Sequence, residues 1–329
     1  MKKPEITLWN GETIPRLGFG CWAIGGPFWS DAFPVGWGDV DDNESKQAIA
    51  AAVDAGIRFF DTADVYGAGH SEKVVGEALK GRNDIFIATK FGNHFNEENK
   101  QITGKSADRA YIRRAVQASL RRLQRDVIDL YQLHIGDLDD EQTKETQAAL
   151  EELVKEGLIK AYGWSTDNLV DANQWLGGEN FRSLQHNLNL FTPATDILAF
   201  VEKHNMLSIN RAPLAMGMLG GTYKLNHAFG TDDVRSGAGT HWRDKINNVR
   251  DEDDAQVRLE GIHELLKTGG RTTAQGALGW IWAQSGIALP IPGFRTVAQA
   301  QENAGALEFG PLDVDTMQEI DQLASGKML

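Results

Sequence analysis

The feature that most restricts this chain is an alternation of two hydrophobic periodicities that runs from Glu44 almost to the end. Apolar positions at helical spacing mark helices over 44–55, 71–80, 106–124, 141–156, 168–176, 195–204, 272–284 and 296–306. Between them, short runs rich in β-branched and aromatic residues mark strands over 58–63, 85–90, 127–134, 160–165, 182–188, 208–214 and 287–292. With Leu17-Gly18-Phe19-Gly20 as a first strand, eight strand-helix units follow one another without a linker-like break. This pattern predicts an α/β fold, a single (β/α)8 TIM barrel occupying 1–329, rather than a two-domain doubly wound sheet. Gly18, Gly20 and Ala23 match a dinucleotide fingerprint by letter only. Gly25-Gly26-Pro27 and Pro34 keep a helix from opening directly behind the strand.

Three additions to the minimum barrel are expected. Asn10-Gly11 between short β-prone pieces signals a hairpin over 6–14, a lid on one end of the barrel. Residues 221–252 are polar and glycine-rich, reading either as a mobile loop over the active face or as an insertion without a role. A helix near 254–267 follows, and an extra helix over 313–324 carries Val314, Met317, Ile320 and Leu323 three residues apart, as for packing outside the barrel.

Composition narrows the partners. With 46 acidic against 33 basic residues the net charge is -13, which argues against nucleic acid or an anionic membrane surface. No apolar run approaches membrane-spanning length and the start lacks a leader-like segment, so a soluble, cytoplasmic protein is expected, a monomer or small homo-oligomer acting on a small molecule. Cys21 is the one cysteine, so no intramolecular disulfide can form. The His-x-His pair of a metal-dependent barrel hydrolase is missing from the first strand, and no metal is expected.

Chemistry-bearing residues collect at strand ends. Asp61 and Tyr66 follow Arg58-Phe59-Phe60, Lys90 closes the run from Asp84, and His134 closes the run from Val127. In a parallel barrel these ends lie on the face formed by the loops after the strands, where the side chains of consecutive strands can meet. Alone, each has an ordinary explanation: a hydrogen-bonded core histidine, a packing tyrosine, a structural ion pair. Together an acid, a phenol, an ammonium and an imidazole form a proton-donating site. The ammonium is expected to stabilise phenolate and bring the phenol toward working pH, with Asp61 holding Lys90 charged and in place.

Asp61-x4-Tyr66, Lys90 after a β-rich run, and Leu130-Tyr131-Gln132-Leu133-His134 resemble the catalytic tetrad of the aldo-keto reductase family, and the likeness extends over essentially the whole chain. The resemblance implies a barrel reductase using NAD(P)H. It also implies that Tyr66 is the general acid, Lys90 lowers its pKa, Asp61 pairs with Lys90, and His134 orients the carbonyl. Gly18-Phe19-Gly20-Cys21-Trp22 looks like the family's first strand; Gly20, Cys21 and Trp22 would flank the cofactor, and Trp22 the substrate. Phe28, Trp29, Trp37 and His241 are further candidates for the pocket wall, Trp29 as a substrate contact.

Cofactor contacts follow from the same likeness. Gly163-Trp164-Ser165 resembles the segment whose serine binds the nicotinamide amide, with Thr166 where asparagine is frequent, and Gln185 resembles a second amide contact. The stretch from Arg211 to Leu219 resembles the pyrophosphate wrap, with Arg211, Pro213, Leu214 and Gly217 as contacts. Many members have tyrosine where this chain has Arg211, which either stacks on the nicotinamide ring or pairs with a carboxylate. Ile291 to Asn303 resembles the adenosine end, with Gly293, Arg295, Gln299, Glu302 and Asn303 as contacts. Arg295 offers a bidentate phosphate partner, so NADP(H) is expected over NAD(H), a preference weakened by Gln299 where some members have arginine. Two rivals remain: an NADP(H)-binding regulatory subunit with little turnover, and a barrel aldolase using Lys90 as a Schiff-base amine.

Overall fold

The computed structural model describes residues 3–136, 138–221, 229–236 and 255–324. Eight strands, Phe19–Gly20, Phe59–Asp61, Phe86–Phe91, Leu130–Leu133, Tyr162–Ser165, Phe181–Asn187, Leu207–Arg211 and Ala288–Pro290, lie side by side in sequence order. All their pairings are parallel. The first strand also meets the eighth, Gly18 N donating to Pro290 O and Gly20 N to Pro292 O, each at 3.0 Å. The expected TIM barrel is therefore the observed architecture. Gly20 permits this seam, since a Cβ there would stand 2.8 Å from the carbonyl oxygen of Ile291.

Helices return the chain between strands, and the sequence starts them with side-chain caps. Asp41, Asp108, Asp139, Asn168, Thr272 and Thr296 each accept an amide from the first turn of the helix that follows. Observed boundaries lie within a few residues of those expected, as in Asp42–Asp54, Asp140–Lys155 and Thr273–Gln284. The last helix, Val314–Ala324, buries Ile320 in an apolar cluster that also holds Leu259 and Ile262 of helix Ala255–Leu266.

Period-two alternation sorts the strand side chains. Phe59, Phe86, Leu130, Ala161, Leu207 and Leu289 point into the barrel and meet Ile6, Leu8 and Ile14 of the hairpin Glu5–Thr7 and Thr13–Pro15. The hairpin thus plugs the end where the strands begin. Further along the same inward rows stand Asp61, Lys90, Gln132 and Gln185, all buried and polar. An apolar plug below and a polar layer above fix which end does chemistry.

A second sheet was not expected from the sequence. Phe33–Pro34, Trp29–Ser30, Gln101–Lys105 and Asn93–Asn96 pair in that order beside the site. Its strands are short or polar, and its central pairing joins Trp29 to Gln101, so no local pattern announces it. Of the insertion over 221–252, residues 222–228 and 237–252 lie outside the described residues, as does His241. Within it Asp233 bridges Trp37 and Val234 N donates to Gly36 O at 2.7 Å, which sets residues 229–236 against the loop after the first strand. Among the described residues no helix is long and apolar enough to cross a membrane.

Candidate active site

Register carries the candidate residues to one level. Lys90 pairs with Gln132 and Gln132 with Gly163 across strands three, four and five, while Ser165 pairs with Gln185 across strands five and six. Gly163 leaves room for this layer. A Cβ there would stand 2.9 Å from Ser183 O and 3.4 Å from the Gln132 side chain.

Asp61 is 2% exposed and Lys90 fully buried. A carboxylate this deep needs full hydrogen-bond compensation, and it has it. Oδ1 is ion-paired with Lys90 Nζ, and Oδ2 accepts from Gln132 Nε2 at 2.9 Å and Gln185 Nε2 at 2.7 Å. Lys90 Nζ also donates to Thr62 O at 2.9 Å and reaches the Tyr66 hydroxyl at 3.2 Å. The Tyr66 ring stacks on Trp22, with centroids 5.9 Å apart, and meets His134 edge-on at 5.8 Å. Trp22 is itself pinned by its indole N–H to Val35 O at 3.0 Å. Acid, ammonium, phenol and imidazole are thus gathered within one cluster.

Protonation follows from burial and neighbours. Desolvation pushes the Tyr66 phenol above its ordinary value although the Lys90 ammonium pulls the other way, so the phenol holds its proton at neutral pH. This differs from the expectation that Lys90 brings the phenol down toward working pH; in a site this dry, burial outweighs one ammonium. Lys90 stays charged, because the attraction of Asp61, with help from Tyr66, overcomes its own desolvation. His134 is held well below the usual imidazole range by desolvation, then by Lys90 and Arg211, and is neutral. Its Nδ1 is buried without a hydrogen-bond partner.

A cavity of about 500 Å³ opens over this cluster, within the size range of small-molecule sites. Tyr66 and His134 line it together with Ser165, Gln185, Arg211, Pro213, Leu214 and Gly217 on one side. Gly293, Arg295, Gln299, Glu302 and Asn303 line it as well, and Trp22, Phe28, Val35, Trp37, Val65 and Ile102 supply an apolar wall. Gly217 adopts φ +97°, a Cβ on Gly293 would meet nothing closer than 3.9 Å, and helix Val297–Gly305 begins four residues on. Among the described residues no group of three or more His, Cys, Asp or Glu side chains could hold a metal ion.

Two expected wall residues stand elsewhere. Cys21 turns its thiol into the packed shell behind the first strand, because Gly20 before it takes the cavity-facing position. Trp29 pairs with Pro34 and Gln101 in the small sheet, and its neighbour Phe28 faces the cavity instead. Gln185 commits its amide nitrogen to Asp61 and Gln132. Arg211 takes the carboxylate alternative, donating through Nη2 to Asp167 Oδ2 at 2.7 Å. Asp167 in turn accepts from Asn187 N at 2.8 Å. Gln132 and Asp167 were not foreseen, although Gln132, two residues before His134 on one strand, shares its inward row. Asn93 and Arg235, which also line the cavity, come from the small sheet and the insertion.

Comparison with known proteins agrees with this geometry. The Aldo/keto reductase family profile matches residues 16–325. An uncharacterized oxidoreductase, YqkF, of Bacillus subtilis is 30% identical over 95% of this chain and 92% of its own length. The aldo-keto reductase yakc [NADP(+)] of Schizosaccharomyces pombe is 28% identical over 97% of this chain and 91% of its own. Among solved structures, the glycerol dehydrogenase AKR11B4 of Gluconobacter oxydans superposes with a TM-score of 0.83 at 29% identity, covering 100% of this chain and 97% of that one. The chain belongs to the aldo-keto reductase family of NAD(P)H-dependent oxidoreductases.

Proposed function

We propose that the protein reduces a carbonyl compound, an aldehyde, ketone or open-chain sugar, with NADPH as reductant and Tyr66 as proton donor. The observation that carries this reading is the placement of one buried ammonium, Lys90, between Asp61 and the Tyr66 hydroxyl, which lines a cavity large enough for substrate. Bound NADPH would supply hydride to the carbonyl carbon. As charge develops on the carbonyl oxygen, Tyr66 gives up its proton, and Lys90 stabilises the phenolate left behind. Lys90 therefore acts on the transition from phenol to phenolate, and a resting phenol that keeps its proton suits an acid. Neutral His134 holds the carbonyl oxygen through a ring N–H without competing for charge, and the Trp22 ring keeps Tyr66 from swinging away.

The nicotinamide end is assigned to Ser165, Gln185 and Arg211, the pyrophosphate to Pro213, Leu214 and Gly217, and the adenosine end to Gly293, Arg295, Gln299, Glu302 and Asn303, with Arg295 reading the 2'-phosphate. The wall of Trp22, Phe28, Val35, Trp37 and Ile102 favours apolar carbonyl compounds. A Schiff-base role for Lys90 is disfavoured, since an amine buried against Asp61 stays protonated and is no nucleophile. Tyr66→Phe is the test. It is expected to lower kcat by roughly 10²–10⁴ while the Kd of NADPH, read by fluorescence, stays within about twofold. Undiminished turnover would refute the donor role, and a wild-type protein that binds NADPH but reduces nothing in a broad carbonyl panel would favour a regulatory subunit.

A further inference from the structure

The loop after strand eight is pressed against an acidic stretch of the chain, Asp39-Val40-Asp41-Asp42-Asn43-Glu44. Two contacts dock them. The Arg295 guanidinium donates to Trp37 O at 3.0 Å and to Asp39 O. From the other side Glu44 Oε1 accepts Val297 N, the first amide of helix Val297–Gly305, at 2.9 Å.

A helix start ordinarily offers free amides and a positive field to an anion. Here the chain fills much of that offer itself. Glu44 takes the Val297 amide, Gln299 Oε1 takes Arg295 N at 2.8 Å, and Thr296 Oγ1 takes Gln299 N at 3.2 Å. Glu302 adds a carboxylate to the wall of the same cavity. The Arg295 guanidinium is therefore already bonded to backbone carbonyls, and the helix start beside it already holds a carboxylate, that of Glu44.

We infer that this acidic stretch, with Glu44 as its main determinant, narrows cofactor choice, so that the enzyme binds NADH within about tenfold of NADPH. The inference rests on the dinucleotide reading of the cavity given above. A 2'-phosphate carries nearly two negative charges, and besides Arg295 it would face the Glu44 carboxylate at the helix start and that of Glu302 on the cavity wall, with the exposed Asp39 in the same stretch as Glu44. A 2'-hydroxyl escapes that repulsion, and a nearby carboxylate is the acceptor such a hydroxyl commonly finds. Arg295 still favours the phosphate; its neighbours remove most of the advantage.

The experiment is a titration of NADPH and NADH by quenching of tryptophan fluorescence in the wild type, Glu44→Gln and Asp39→Asn, with thermal unfolding followed in parallel. Glutamine keeps an oxygen for Val297 N, so the helix cap survives while the charge goes. Glu44→Gln is expected to tighten NADPH by about three- to tenfold and to change NADH by less than about twofold. Asp39→Asn, at an exposed position, should move NADPH in the same direction by less. A wild-type preference for NADPH well above tenfold, or an unchanged ratio in Glu44→Gln, overturns the inference. If Glu44→Gln loses thermal stability, the ratio in Asp39→Asn decides instead. Failure of both dinucleotides to bind the wild type would strike the proposed function rather than the role of Glu44.

Discussion

Asp61 carries a negative charge to a depth where ion pairs barely recover their desolvation, and four donors surround it: Lys90, Gln132 and Gln185 on the carboxylate, and the backbone N–H of Cys21 on its carbonyl. Neutralising such a residue leaves its partner stranded. Asp61→Asn keeps the shape but leaves the buried Lys90 ammonium without a countercharge, and is expected to cost about 3–5 kcal/mol of unfolding free energy, measured in urea. A loss below about 1 kcal/mol would show that the pair is not the structural keystone described here. That Asp61, Lys90 and His134 would meet was legible because each lies at the end of a strand-like run and alternation tells which rows face inward, with Tyr66 a short loop beyond Asp61. Protonation was not legible. Whether Lys90 or burial dominates Tyr66 depends on how dry the site is, and Trp22, which covers Tyr66, is separated from it by a long loop.

At the scale of elements, the division between plug and site separates stability from activity. Ile14 sits in the hairpin, packed with Phe59 and Leu289 at the end of the barrel opposite the cavity. Ile14→Ala should lose about 2–4 kcal/mol of stability, since a buried isoleucine is truncated, and leave kcat/KM unchanged well below the melting temperature. A large fall in kcat/KM under those conditions would mean that the hairpin communicates with the site. The barrel strands and helices were legible to within a few residues because their patterns are local and repeated. The small sheet was not, since Trp29–Ser30 and Gln101–Lys105 acquire strand character only by meeting each other. Its absence from the sequence reading is why Trp29 was placed in the pocket and Asn93 was not.

For the molecule as a whole, acid should be the weak flank. His186 is fully buried, bonded to Ser208 Oγ at 2.8 Å, and held down to about 4 chiefly by desolvation. The unfolded chain takes up that proton near the ordinary imidazole value of 6.5, so between the two values it binds more protons than the folded state. Stability from this group is therefore fully present above the higher value and declines as pH falls through the window, by about 3 kcal/mol in total. His134 adds in the same direction. Urea midpoints measured across that range should fall with pH, and His186→Gln, weaker at neutral pH, should fall less steeply; parallel slopes would refute the assignment. Neither the burial of His186 nor its bond to Ser208 can be read from a lone histidine in a β-prone run.

The seam at Gly20 and Gly293 makes one more demand on the chain. Its two sides are far apart in sequence, so the cylinder cannot be sealed until the eighth strand has been synthesised, and shorter chains keep a raw sheet edge exposed. A chain that has not yet placed its eighth strand also lacks Leu289 and Ile291 beneath the hairpin, so closing the cylinder and completing its apolar plug are one event.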